Sequence, residues 1–248
     1  MTRHSPLLPR GFTLAELAVV LVIAAFLIGG LAIPLSGQLE LRSRQETRAT
    51  LDTVREALLG FAAVHGRLPC PASATSNGIE SPDGGGVCSN PYDGFLPAAT
   101  LGVGPVDGAG FALDGWGNRL RYAVATAQSG AFTTSGGLQA NWPDVFAQSG
   151  KLRLCSAGPA SGSGATANCP AGSTALARDA VAVVLSLGRD ATANGADQTE
   201  NQDSPGNPVF VSHDPAPAGS PGGEFDDLVL WISPGVLGSR LLAAGRLP

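Results

Sequence analysis

A single carboxylate, Glu16, stands in a run of twenty-two residues, Phe12 to Ile33, whose other side chains are apolar or small. A carboxylate near one end of a membrane helix is costly unless it is protonated or paired, so its presence argues for a task. The natural cut in this region falls at Gly11-Phe12, and a chain cut there carries a free α-amino group on Phe12, four residues before Glu16. That amine, on the same chain or on a neighbour, is a ready ionic partner where the dielectric is low. The competing reading is a glutamate reaching from the membrane edge for lipid headgroups. The other residues with chemistry to offer are the four cysteines Cys70, Cys88, Cys155 and Cys169 and the oxygen-rich stretch Asp190 to Asp203.

Catalytic patterns are missing. The chain has no H-E-x-x-H, no G-x-S-x-G, no P-loop and no G-x-G-x-x-G. Its three histidines, His4, His65 and His213, stand far apart in sequence. The cysteines include no C-x-x-C, and their spacings lack the tight pairs of zinc motifs. On an exported domain a disulfide pair or two is the expectation. Local pairing, 70–88 and 155–169, is preferred among the three connectivities that four cysteines allow. The stretch DATANGADQTENQD offers Asp190, Asn194, Asp197, Glu200, Asn201 and Asp203 as hard oxygen ligands. It departs from an EF-hand loop at Thr192 and at Asn201, and a strand rather than a helix precedes it. A solvated acidic loop is the simpler reading.

The elements that must position these residues begin with the apolar run. At ~1.5 Å per residue it makes a helix about 33 Å long, enough to cross the hydrocarbon core of a bilayer. Arg3, His4 and Arg10 lie just upstream with no acidic residue before Glu16, which keeps the short head in the cytoplasm and exports the rest. A secretory signal would have a shorter apolar core followed by a small-residue cleavage site. Here a cut at Gly11-Phe12 removes the basic head and leaves the helix attached, so the run reads as an anchor. Pro34 should break or kink the helix. Beyond it Leu51, Val54, Leu58, Phe61 and Ala62 fall on one face of a second helical segment, with Gly66 as its C-cap and Pro69 preventing continuation. Alternation and β-branched runs then mark strands at Leu120–Val124, Lys151–Cys155, Ala180–Leu187, Pro208–Ser212 and Asp227–Ile232. The tail Val236–Leu247 is expected to form a closing helix with Leu237, Leu241 and Leu242 inward. The result is an α+β domain, one long helix laid across an antiparallel sheet with elaborated loops.

Composition supports one anchored domain. The formal charge of −5 becomes −7 once Arg3 and Arg10 are removed, which gives no support to nucleic-acid binding. Thirty-four glycines and nineteen prolines point to long loops on a small core.

The residues Gly11-Phe12-Thr13-Leu14-Ala15-Glu16 followed by an apolar helix resemble the prepilin leader of type IV pilins and type II secretion pseudopilins. The stretch Asp114-Gly-Trp-Gly-Asn118 followed by Tyr122 resembles the D-x-W-G-N-x-x-x-Y segment of the major pseudopilins. Ser186-Leu-Gly-Arg-Asp190 and Asp226-Asp227 before a strand ending in Trp231 resemble that family's C-terminal portion. The resemblance implies a pilin-like fold, cleavage by an inner-membrane prepilin peptidase after Gly11, methylation of Phe12, and pairing of Glu16 with a neighbouring N-terminus during assembly. It implies three segments: a removed leader (1–11), a transmembrane assembly helix (12–34) and a periplasmic domain (35–248). Expected partners are the peptidase, other pilin or pseudopilin subunits, the inner-membrane assembly platform and the inner membrane. It also implies a calcium loop, for which Asp190, Asp197, Glu200 and Asp226 are the ligands. The two cysteine loops and the tail Ser233–Pro248 depart from a plain major subunit. The function expected is a non-catalytic subunit of a type II secretion pseudopilus; the alternative is a minor type IV pilin acting in pilus assembly, adhesion or twitching.

Overall fold

The computed structural model describes residues 12–147, 150–159, 168–192, 195–202 and 206–247, with the backbone alone at 27–36. The chain divides into two compact units, Met1–Ser43 and Arg44–Pro248. Helix α1 (Leu14–His65) is 52 residues long. It continues through Pro34, where a break was expected. Proline removes one N–H from the i→i−4 ladder, and the bonds on either side suffice to carry the helix on.

In the first unit the apolar side chains of Phe12, Leu14, Leu17, Val19 to Ile23 and Phe26 are 54–88 % exposed. Among the described residues no helix is long and apolar enough to cross a membrane. The expected span, 12–34, falls partly on positions 27–34, whose side chains lie outside the described residues.

In the second unit α1 buries Leu51, Val54, Leu58, Leu59 and Ala62, the i, i+3, i+4 stripe that the sequence displays. Phe61 is only half-buried and lies under the Arg67 guanidinium, 5.1 Å from ring centroid to Cζ. Gly66 closes the helix in the left-handed region (φ +65), donating its N–H to the Ala62 carbonyl at 2.8 Å.

Seven strands follow: β1 (Gly94–Phe95), β2 (Arg121–Val124), β3 (Leu152–Cys155), β4 (Ala175–Ala180), β5 (Ala182–Ser186), β6 (Val209–Val211) and β7 (Leu228–Ile232). Four of them form an antiparallel sheet in the order β1-β2-β5-β7, with Tyr122 opposite Val184 and Val184 opposite Leu230. The β5 strand is buried at all five positions, which explains its unbroken apolar sequence. Successive residues feed opposite faces. Tyr122, Val124, Val184 and Ile232 join the core under α1, while Ala123, Val183 and Leu185 join Leu152, Leu154 and Phe210 on the other side.

That second face is covered by a sheet the sequence reading did not anticipate, in the order β4-β3-β6, with β3 antiparallel to β4 and parallel to β6. The fold is therefore α+β with one long helix on an antiparallel sheet, as expected, plus a third layer. The β4 strand has an alternating exposed pattern and was missed because Ala175, Ala177 and Arg178 carry little β signal.

Short helices α2 (Ala98–Leu101), α3 (Ala127–Gly130) and α4 (Gly137–Ala140) and a 3₁₀ turn at Asp144–Phe146 occupy the connections. Helix α5 (Ala196–Gln202) forms within the acidic stretch, where the sequence suggests a loop. Helix α6 (Pro234–Ala243) is capped by Ser233, whose Oγ accepts the Val236 N–H, with Pro234 in the first turn. Leu237 and Leu241 are buried, but Leu242 is 45 % exposed. Leu242 lies about 100° around the helix from Leu241, off the buried stripe; Leu247 fills in instead, being 7 % exposed.

Both expected disulfides are present, Cys70–Cys88 and Cys155–Cys169, with Cα separations of 5.4 and 5.5 Å. The first loop is also clamped by a buried ion pair. Arg67 Nη1 and Nη2 donate to Glu80 Oε2 and Oε1 at 2.8 and 2.6 Å, and the Cys70 N–H donates to Glu80 Oε2 at 2.9 Å.

Candidate functional site

Two constellations match the residues singled out in the sequence, one in each unit. In the first, Thr13 and Glu16 close the start of α1. The Thr13 N–H donates to Glu16 Oε2 at 2.8 Å, and the Glu16 N–H donates to Thr13 Oγ1 at 3.2 Å. The Thr13 hydroxyl adds a 2.9 Å bond to the same Oε2. Thr13 also supplies the first helical acceptor, its carbonyl receiving the Leu17 N–H at 3.1 Å. This is a capping box: each residue satisfies an N–H that the first turn leaves without an intrahelical partner. The T-x-x-E spacing carries this second signal in the sequence, beside the charge of Glu16. Phe12 is 88 % exposed beside it. Gly11 lies outside the described residues.

In the second unit the D-x-W-G-N turn and the S-L-G-R-D stretch are bound to each other. Asp114 Oδ1 accepts the N–H groups of Trp116 and Asn118, both at 2.8–2.9 Å, which fixes the turn. Asp114 Oδ2 accepts the Ser186 hydroxyl at 2.6 Å. Asn118 Nδ2 donates to the Gly188 carbonyl at 2.7 Å, and the Gly115 N–H reaches Thr47 Oγ1 on α1 at 2.9 Å. Tyr122 is buried and donates its hydroxyl to the Pro69 carbonyl at 3.1 Å. Burial raises its pKa. The turn is thus a rivet joining helix, sheet and first loop; Trp116 itself is only half-buried.

Gly188 leads from this rivet into the acidic cluster. Its φ is +68, and a Cβ there would lie 2.2 Å from Asp226 Oδ1, so the position requires glycine twice over. Asp226 Oδ2 accepts the Arg189 N–H at 2.8 Å and its Oδ1 accepts Gln198 Nε2 at 2.9 Å. Asp227 Oδ2 accepts Asn201 Nδ2 at 2.8 Å, while its buried Oδ1 has no partner among the described residues. Burial, reinforced by the Asp226 and Asp190 charges and opposed by Asn201, pushes the Asp227 carboxyl up to about 7. Burial raises Asp226 as well. Asn201 bridges α5 to β6 through paired bonds with the Val211 N–H (2.8 Å) and carbonyl (3.0 Å).

Each of the four carboxylates nominated for calcium has a hydrogen-bond partner. Asp197 accepts the Gly158 N–H at 2.5 Å and faces His213 Nε2 at 3.2 Å. Glu200 Oε1 accepts Asn207 Nδ2 at 2.9 Å. Asp190 Oδ1 accepts the Thr192 N–H at 3.3 Å in its own turn, and Asp226 is held as above. Among the described residues no group of three or more His, Cys, Asp or Glu side chains could hold a metal ion. Asn194 and Asp203 lie outside the described residues. His213, isolated in the sequence, stacks on Phe225 at 3.9 Å between ring centroids while facing Asp197. Sixteen residues separate His213 from Asp197, so no local pattern announced the pair.

Residues 9–32 match the family model for the prokaryotic N-terminal methylation motif. No curated protein and no solved structure matches the chain. The motif implies processing by prepilin peptidase and assembly with other pilin-type subunits, and Gly11, Phe12 and the Thr13–Glu16 cap all fall within it: the chain carries the N-terminal methylation motif of prepilin-processed, type IV pilin-like proteins.

Proposed function

We propose that the chain is a non-catalytic subunit of a type II secretion pseudopilus, anchored in the inner membrane, cut by prepilin peptidase to begin at Phe12, and assembled through its N-terminal helix. The observation that carries the reading is the methylation motif at residues 9–32. Support comes from the exposed apolar side chains of α1 between Phe12 and Phe26, which are suited to lipid and then to neighbouring helices. Further support comes from the bonded pair of stretches that resemble the major pseudopilins, Asp114–Asn118 and Ser186–Asp190. In this account Glu16 serves its own helix before assembly and neutralises a neighbour's amino terminus afterwards, which sets the axial register. The domain remains in the periplasm and forms the filament's outer surface.

A minor type IV pilin is the second reading, favoured by the two disulfide-closed loops, which a plain filament subunit does not need. Deleting the gene in the source bacterium and comparing secreted proteins with surface pili separates the two. Loss of secretion with pili intact supports the pseudopilus; loss of pili, twitching or adhesion with normal secretion overturns it in favour of the pilin.

A further inference from the structure

The sequence contains a single Asp-Pro bond, Asp214-Pro215. An aspartate can attack the carbonyl of its own peptide bond, because a side-chain oxygen reaches that carbon through a five-membered ring. Proline on the far side favours the break, since the nitrogen of a tertiary amide accepts a proton more readily than an ordinary amide nitrogen. The fold anchors the chain on both sides of this bond. Upstream, the Ser212 N–H donates to the Cys155 carbonyl at 3.0 Å; downstream, Ala216 and Phe225 exchange paired backbone bonds at 2.9 Å. Between these anchors His213 turns its ring onto the bond itself. Its Nδ1 donates to the Asp214 carbonyl at 2.7 Å, the oxygen that gains negative charge when the carbon is attacked. Two contacts fix the ring in this pose. It stacks on the buried Phe225, and its Nε2 lies 3.2 Å from Oδ2 of the buried Asp197.

The nucleophile is free and in reach of water. Asp214 and Pro215 are exposed, and the Asp214 carboxylate makes no hydrogen bond or ion pair among the described residues. A cavity of about 340 Å³ opens beside the bond, lined by Arg48, Asp52, His213, Asp214, Pro215 and Asp227 among others. The parts of an intramolecular acyl transfer are therefore together: an unengaged carboxylate, a preorganised donor on the carbonyl it would attack, a proline leaving group and a place for water.

We propose that the chain cleaves its own Asp214-Pro215 bond. A carboxylate oxygen of Asp214 bonds to the Asp214 carbonyl carbon, and His213 Nδ1–H stabilises the oxyanion that forms. The C–N bond then breaks with its electron pair on the Pro215 nitrogen, which takes a proton from water. Water opens the cyclic anhydride left on Asp214. One water is consumed overall, and the ends are an Asp214 with two carboxylates and a Pro215 with a secondary ammonium. His213 is the catalytic residue, and Asp197 and Phe225 are positioning residues for its ring. Each chain reacts once, so this is self-processing without turnover, and it stands apart from which filament the subunit enters. The pieces remain associated, because residues 215–248 keep β7 paired with β5 and keep Leu237 and Leu241 in the core.

The test incubates the purified full chain in detergent micelles at neutral pH, folded and in urea, and follows its intact mass. The expected products end at Asp214 and begin at Pro215, and they separate only on denaturation. They should form about a hundredfold faster from the folded chain than from the unfolded one, the effect of one preorganised oxyanion donor. His213→Phe keeps an aromatic ring against Phe225 but has no donor, and should fall to the unfolded rate. Asp214→Ala, at an exposed position, should stop scission at this bond and leave the melting point unchanged. Asp197→Ala should slow scission and shift the His213 ring-nitrogen resonances, both partly restored in Asp197→Asn. Equal rates from the folded and unfolded chains, or products cut elsewhere, overturn the proposal. Scission that persists in Asp214→Ala overturns it too, in favour of a contaminating protease.

Discussion

Ser186 and Asp114, seventy-two residues apart, meet in the core through a 2.6 Å bond from hydroxyl to carboxylate. Through it the last residue of the central strand β5 is fastened to the turn that precedes β2. Because Asp114 also holds the Trp116 and Asn118 N–H groups, its loss strands three donors, of which the Ser186 hydroxyl is fully buried. Asp114→Ala should cost about 3 kcal/mol and Ser186→Ala about 1 kcal/mol in urea unfolding of the full chain. The double variant should cost less than the two together, because both remove the same bond. Strict additivity would show that the bond carries no coupling.

Gly188 sits beside that bond with φ +68 and room for no side chain. Gly188→Ala should lower stability by at least about 1–3 kcal/mol from backbone strain alone, before the clash with Asp226 is counted. Thermal melting reads this directly. A melting point unchanged within a degree or so would mean that Asp226 is not where the structure places it.

The raised Asp227 carboxyl gives a pH dependence of defined sign. A folded-state pKa of about 7 lies above the unfolded value of 3.8, so between these the folded protein holds more protons than the unfolded chain. Stability from this group therefore falls as pH rises from about 4 to about 7 and is constant outside that window. Asp226 and Glu200, also raised by burial, act with the same sign. Melting of Asp227→Asn should show a flatter profile over this range and a higher melting point than the parent at pH 8. A parent that gains stability from pH 5 to pH 7 while the variant does not would contradict the assignment.

Much of the fold was legible because period and punctuation agreed. The stripe from Leu51 to Ala62, stopped by Gly66 and Pro69, gave the packed end of α1. The run Ala180–Leu187 marked the buried central strand, which forms at Ala182–Ser186, and local pairing of the cysteines matched both disulfides. What escaped depended on long-range packing. The β4 strand is rich in alanine and takes its form from pairing with β3. The Arg67–Glu80 clamp joins residues thirteen apart with no periodic relation. The stretch after Asp190 reads most simply as a solvated acidic loop, whereas α5 forms within it and Asn201, Glu200 and Asp197 bond Val211, Asn207 and His213, partners that no local pattern announces.

The capping box separates two roles of Glu16 that a single deletion would confound. Glutamine at this position can still close the box with Thr13, whereas leucine cannot. Glu16→Gln should leave cleavage and the start of α1 intact and yet impair filament assembly, because it removes the charge. Glu16→Leu should impair assembly and also loosen the first turn, by about 1 kcal/mol. Sheared-filament yield and amide exchange at Glu16 and Leu17 read the two effects. Normal filaments from Glu16→Gln would remove the ionic account and leave the helix cap as the residue's purpose.

The central claim is that this chain is processed at Gly11-Phe12 and enters a filament by the helix that follows. Intact-mass measurement and N-terminal sequencing of the chain recovered from cells with an active prepilin peptidase test it most directly. The account predicts a mature protein that begins at Phe12 and carries one methyl group on its amino nitrogen, with the precursor accumulating when the peptidase is absent. A mature chain that retains Met1 to Gly11, or one cut beyond Ile33 so that the helix is lost, would contradict it.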